Sequence, residues 1–279
     1  MIRFSCCIPG GSLMPEGVAS VPDSPAEQIV LKCRYLLDCG YDCTECAGGM
    51  LTGLKEEEIA YLVEENKKSS LKLIAVNSLF PWQWRLADPD ADRDAYVAHI
   101  VKLFDTMQAL GVKYAVFGSG AARSIRHEIG EEKSREALYD FLRVMAAEPV
   151  KRGIVIVIEP LRKAETNVFN TVVESAAVVR ELNEPGIRLL YDVFHMAEEG
   201  SSLDCIVPNL DLTGHCHIAE APNRSYPGCS DSGDPEYNRT FAKELIRGGY
   251  NGAVSVECGF KDFKAEAKIA LGYLREIFA

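Results

Sequence analysis

No stretch of this 279-residue chain stays apolar for the ~20 residues that a membrane-spanning helix requires, so a membrane partner is not expected. Basic residues are the minority charge, 30 Lys and Arg against 41 Asp and Glu, for a formal net charge of −11. An acidic surface repels phosphate backbones, and no basic cluster offsets it, so no nucleic-acid partner is expected either. Ten cysteines are too sparse for a disulfide scaffold. The lone Cys43-x-x-Cys46 has no second pair to complete a zinc site, which leaves it a reduced, structural role. The opening MIRFSCCIPGG carries one basic residue and a short β-like run, unlike a secretory signal. The expected compartment is the cytoplasm.

What is present is an alternation of short apolar runs with longer amphipathic ones. Strands are predicted at 2–8, 41–46, 72–77, 113–117, 154–159, 188–193, 212–218 and 253–258. Most are continuous and β-branched, as in parallel strands covered on both faces. Helices are predicted at 24–39, 55–68, 94–110, 131–147, 170–182, 235–247 and 263–278, the first opened by Ser24-Pro25, an N-cap and an N1 proline. Leu203 to Leu210 allows only a short helix, because Pro208 breaks a longer one. Eight units of about 35 residues, without a linker, predict an α/β chain forming one (β/α)8 TIM barrel over residues 1–279. An open doubly wound sheet would need a fuller dinucleotide loop than Gly118-Ser119-Gly120 supplies.

A barrel of this kind places its site at the C-terminal ends of the strands. Glu159 ends predicted strand five, Asp192 and His217 lie near the ends of six and seven, and Glu257 ends strand eight. One ionisable group per successive unit can converge on a single point. Three carboxylates and an imidazole suit one divalent ion that tolerates oxygen-rich coordination. Mn²⁺ is the first choice, with Co²⁺, Mg²⁺ or Zn²⁺ as alternatives. Glu45 ends strand two, and Asn77, Ser78 and Phe80 follow strand three, where their side chains could line a pocket. His215 shares the face of His217 one layer lower and is expected in the core or behind the ligands. His99 and His127 are expected on the surface. Trp82 and Trp84 either cap an apolar patch at the mouth or pack under their loop. The run from Gly118 to Arg123 offers either backbone donors and a cation to an anion, or a plain turn.

The segments IEPLRKAETNVFNT (158–171), YDVFH (191–195), HIAEAPNR (217–224) and SVECGF (255–260) resemble the xylose isomerase-like superfamily of sugar isomerases and epimerases. Within it they are most similar to ketose 3-epimerases of the tagatose/psicose type, with hydroxypyruvate isomerase nearby. The topology matches over the whole chain, and the specific motifs lie within residues 158–260. The resemblance implies that Glu159, Asp192, His217 and Glu257 are metal ligands and that Glu159 and Glu257 are also the acid–base pair. It further implies substrate contacts at Glu165, at His195 and at Arg224. Arg224 stands seven residues after His217, one more than in the tagatose 3-epimerase pattern, with an insertion at Pro222.

The implied reaction takes a proton from the carbon beside a ketose carbonyl through a metal-stabilised enediolate. Two glutamates on opposite faces are what epimerisation needs. The partner is then a small sugar or polyol-derived substrate, and the expected assembly is a homodimer or homotetramer. An inosose-type dehydratase or hydroxypyruvate isomerase would use the same site. An endonuclease IV-like phosphodiesterase would need three zinc ions and more than the five histidines present. A degenerate sugar-binding barrel is the non-enzymatic alternative, and it would have no use for an acid and a base on opposite faces.

Overall fold

The computed structural model describes residues 1–15, 17–18, 20–230 and 233–279. Eight parallel strands close in sequence order into one barrel: β1 (Arg3–Cys7), β2 (Cys43–Ala47), β3 (Leu73–Asn77), β4 (Tyr114–Phe117), β5 (Val155–Ile158), β6 (Ile187–Asp192), β7 (Thr213–Ile218) and β8 (Ala253–Val256). β1 pairs with β8, for example Ser5 with Ser255, so no edge is left. Each predicted strand is found, displaced by no more than two residues at either end.

The outer layer is α1 (Pro25–Cys39), α3 (Glu56–Lys67), α4 (Arg93–Ala109), α6 (Glu131–Val150), α7 (Val172–Leu182), α9 (Pro235–Arg247) and α10 (Phe263–Ile277). Short helices α2 (Gly48–Thr52), α5 (Gly120–Arg123) and α8 (Val193–Glu198) follow strands β2, β4 and β6 directly. The helix ends are set locally. Ser24 Oγ accepts from the Glu27 N–H ahead of Pro25, and Gly40 closes α1 at φ 102°, a conformation open to glycine. Leu203–Leu210 does not form the short helix expected there. It makes 3₁₀ turns at Leu203–Cys205 and Val207–Leu212, because Pro208 removes the donor a continuing helix needs.

Most apolar side chains pack between the strands and the outer helices. Inside the barrel a separate apolar cluster joins Ala75, Tyr114, Val116, Val157 and Leu190, all from β3 to β6. On the opposite wall the buried interior side chains are polar, among them Ser5, Glu45, His215 and Ser255. The interior is thus apolar on one side and polar on the other, and the polar side lies beneath the strand-end cluster.

Candidate active site

Alternation along a strand carries the interior face upward, from Val157 to Glu159, Leu190 to Asp192, His215 to His217 and Ser255 to Glu257. All four upper residues therefore point into the mouth. Donor atoms of Glu159, Asp192, His217 and Glu257 lie within 4.8 Å of one another. Ligands held about 2.0–2.4 Å from one ion would stand about 4.0–4.8 Å apart across it, so this donor set fits a single divalent cation. His217 Nδ1 faces the carboxylates, 3.2 Å from Glu159 Oε1, 3.0 Å from Glu257 Oε2 and 3.9 Å from Asp192 Oδ2.

Neighbours fix each of these groups. Asp192 Oδ1 accepts from the Phe194 and His195 N–H groups at 2.8 and 3.3 Å, starting α8 and leaving Oδ2 turned inward. Asn77 Nδ2 donates to Glu257 Oε1 at 2.8 Å. Gly118 makes room for Glu159, since a Cβ there would lie 2.3 Å from Glu159 Oε2. The sequence carries no signal for that requirement beyond a glycine after a strand.

Glu45 does not line the pocket as its strand-end position suggested. A register shift between Thr44 and Glu45 accompanies its placement below the mouth, fully buried. There Oε1 accepts from His217 Nε2 at 3.0 Å and Oε2 from His215 Nε2 at 3.0 Å. His215 sits one layer down, as expected, and its Nε2 also meets Ser255 Oγ at 3.0 Å. Glu45 thus fixes the tautomer of His217 that presents Nδ1 to the three carboxylates, the arrangement in which a carboxylate orients a ligating histidine.

For Arg123 the structure decides between the two alternatives left open for the Gly118–Arg123 run. It offers no cation to an anion, because its guanidinium is buried and donates to the carbonyls of Phe117 at 2.7 Å, Glu159 at 2.8 Å and Phe169 at 3.4 Å. These carbonyls lie at the end of β4, just after β5 and in the loop before α7, so the side chain ties three segments together and anchors the Glu159 backbone. His99 is not a surface residue. It is half-buried in the wall of the cleft, with Nε2 bonded to the Leu79 carbonyl at 3.0 Å. His127 is exposed.

Arg224 reaches the cluster despite its extra residue. The 220–225 loop closes through paired backbone bonds between Glu220 and Ser225, and Arg224 adopts φ 50°. Its Nη2 contacts Asp192 Oδ2 at 3.1 Å and Glu257 Oε2, and Nη1 lies 2.9 Å from His195 Nε2. The Arg162 N–H points at His195 Nδ1 at 3.3 Å. An imidazole carries at least one N–H, so donors on both nitrogens cannot both be accepted. One of them must move before His195 can donate to a ligand. Glu165 sits at the rim, 2.9 Å from Arg162 Nε.

Electrostatics divides the two glutamates. Burial, then the charge of Glu257, raises the Glu159 carboxyl to about 8. Burial would raise Glu257 too, but His217 and Arg224 outweigh it and hold that carboxyl well below the usual range. Glu45 falls to about 2 because both histidines outweigh its desolvation. His217 rises in turn, since Glu45 and Glu257 outweigh burial.

The cleft over this cluster encloses about 660 Å³ and includes Glu159, Glu165, His195, Arg224 and Glu257 in its lining. All ten cysteines are free thiols, those of the C-x-x-C included. No helix among the described residues is long and apolar enough to cross a membrane.

A family model described as xylose isomerase-like TIM barrel matches residues 33–277. The chain is 26% identical over 242 residues to a 3-dehydro-D-guloside 4-epimerase of Escherichia coli (strain K12), covering 83% of this chain and 87% of that one. It is 35% identical over 106 residues to a ketose 3-epimerase of Arthrobacter globiformis, across 38% of this chain and 35% of that one. A solved D-psicose 3-epimerase with D-tagatose, from Clostridium cellulolyticum H10, has a TM-score of 0.80 at 21% identity over 99% of both chains. At that identity the likeness speaks for the fold.

Proposed function

The chain belongs to the xylose isomerase-like TIM-barrel family, and we propose that it is a divalent-metal-dependent epimerase or isomerase of a sugar bearing a carbonyl. The observation that carries this reading is the convergence of four donor atoms within 4.8 Å at successive strand ends, two of them on glutamates. Glu159, Asp192, His217 and Glu257 would hold the ion, Mn²⁺ being preferred over Co²⁺, Mg²⁺ or Zn²⁺. Bound there, it would act as a Lewis acid toward the carbonyl and a neighbouring hydroxyl of the sugar.

The side chains do the rest. One glutamate takes the proton from the carbon beside the carbonyl, leaving an enediolate, and the other returns a proton to the opposite face. His195, once released from Arg224, donates to a substrate oxygen. Arg224 and Glu165 bind hydroxyls at the rim, and Asn77 keeps Glu257 in one orientation. Isomerisation differs only in returning the proton to the neighbouring carbon.

The test is exchange of the substrate's carbon-bound proton with deuterated solvent, followed by NMR over a panel of ketoses and inososes with each metal. Exchange that stops with a chelator and returns with metal is the expected result. A conjugated, absorbing product would mean dehydration instead. Absence of exchange with every sugar and metal would favour a non-catalytic sugar-binding barrel. A cytoplasmic homodimer or homotetramer remains part of this reading, and light scattering that reports a strict monomer at micromolar concentration would remove the assembly from it.

A further inference from the structure

The cleft is too large for the smallest substrates. A hexose has about a dozen non-hydrogen atoms and takes at most on the order of 360 Å³, counted at the ~30 Å³ that liquid water takes per oxygen. Against about 660 Å³, nearly half of the space is left over. The cleft runs from the β5–β8 side across the mouth to the loops after β2 and β3, where Gly49, Thr52, Pro81, Trp82 and Gln83 line it.

The loop after β3 is built as a fixed platform. Trp84 stacks on Tyr96, with ring centres 4.2 Å apart and an interplanar angle of 14°, and meets His99 edge-on at 4.8 Å. Phe80 packs on Trp84, His99, Phe117 and Phe141. Trp82 takes no part in this stack, and 69% of its surface is exposed at the rim. An indole left open on a rigid loop beside a cleft is a ready partner for a ligand with an apolar face and polar edges, as a pyranose ring has.

The charge of the lining narrows the class. Arg224 is its only Lys or Arg, and it is engaged with Asp192, Glu257 and His195 at the other end. Arg85, the cation nearest Trp82 in the chain, turns back on its own loop, with Nη1 donating to the carbonyls of Trp82, Gln83 and Trp84 at 3.5, 3.0 and 3.1 Å. A phosphate near Trp82 would meet no cation in the cleft lining and would have to draw Arg85 off three carbonyls, so a neutral distal group fits the loop as it stands.

Resting on the epimerase reading above, we propose that the substrate is a neutral glycoside with a ring carbonyl, its reacting ring at the strand-end cluster and its second ring stacked on Trp82. A glycosidic bond locks the anomeric carbon, so the carbonyl lies on another ring carbon. The reaction balances without a co-reactant. A glutamate removes the proton beside that carbonyl, the electron pair forms the enediolate, and a proton returns from the other face.

The experiment compares the Mn²⁺-loaded enzyme on 3-dehydrocellobiose, methyl 3-dehydro-β-D-glucoside and D-fructose, reading solvent-deuterium exchange by NMR. The two-ring sugar should show a kcat/KM at least about tenfold above the methyl glycoside, the gain expected from one added ring stack. Trp82→Ala should bring that ratio close to one, and Trp82→Phe should keep part of it. Unreactive cellobiose should quench tryptophan emission of the wild type and not of Trp82→Ala. Equal kcat/KM for both glycosides, a ratio unmoved by Trp82→Ala, or no quenching would overturn the glycoside proposal and leave the epimerase reading standing. Exchange from none of the three sugars would overturn the proposal, and failure across the wider ketose and inosose panel would overturn the reading beneath it.

Discussion

Replacing Glu45 by Gln removes a charge from beneath the site while keeping its shape. The wild-type carboxylate is fully buried and accepts from His217 Nε2 and His215 Nε2, each at 3.0 Å. A Gln oxygen can still accept from His217, and its amide can donate to His215 once that imidazole shifts its proton to Nδ1, which has no partner at present. The variant should therefore fold. Hydrogen bonds to a charged group are roughly twice as strong as neutral ones, so the bond behind His217 weakens by about 1 kcal/mol and the imidazole becomes a poorer donor. Losing the carboxylate behind a ligating histidine typically costs 10–100-fold in metal affinity, which is about 1.4–2.7 kcal/mol. Titration calorimetry of chelator-treated protein with Mn²⁺ reads this directly. Glu45→Ala is the harsher comparison. It strands two buried imidazoles, at a cost of about 3–5 kcal/mol, or a Tm lower by roughly 6–20 °C at this chain length. A Glu45→Gln variant that binds Mn²⁺ as tightly as wild type would refute the claim that Glu45 orients a metal ligand.

The glutamates themselves give the next test. Glu159→Gln and Glu257→Gln should each stay folded and lose about 10²-fold or more in turnover, and the variant lacking the base for one epimer should stop proton exchange from that epimer even at saturating metal. His195→Asn should raise KM while metal stoichiometry stays unchanged. Gly118→Ala should fold yet lose about 10²-fold in kcat, because its Cβ would displace Glu159 Oε2 from 2.3 Å; wild-type kcat would show that the carboxylate has room to spare. Glu159 also predicts a pH dependence in chelator-treated protein. With its carboxyl raised to about 8 from 4.5, the folded chain keeps a proton between those values that the unfolded chain has released. Its contribution to stability is present below about 4.5 and is lost as pH rises toward 8. Glu159→Gln should therefore gain Tm over wild type at pH 8 and little at pH 5; an equal gap at both would contradict the shift.

The barrel and the strand-end positions that converge in its mouth were legible in the sequence because they rest on local rules. Continuous β-branched runs such as IVIVI before Glu159 can only be strands buried on both faces, and helix starts such as Ser24-Pro25 are written in the chain. A charged residue after each such strand has one place to go in a barrel, so Glu159, Asp192, His217 and Glu257 could be named together. Their roles beyond that convergence remain with the proposals above. What tertiary structure alone decided depends on distances between residues far apart in the chain. Glu45 was expected at the mouth, but β-strand register, which no local pattern encodes, set it lower against two histidines from β7. Arg123 could have been an anion-binding cation or part of a plain turn, and three carbonyls from separate segments decided against the first. His99 looked like a surface residue of α4 until the loop after β3 folded over it. Trp82 and Trp84 are two residues apart and alike in sequence, yet one is stacked and the other open. Only the packing of Tyr96 and His99 from α4 separates them. Local sequence sets which elements form and which way their faces point, while burial and pairing are sums over neighbours that only the closed barrel supplies.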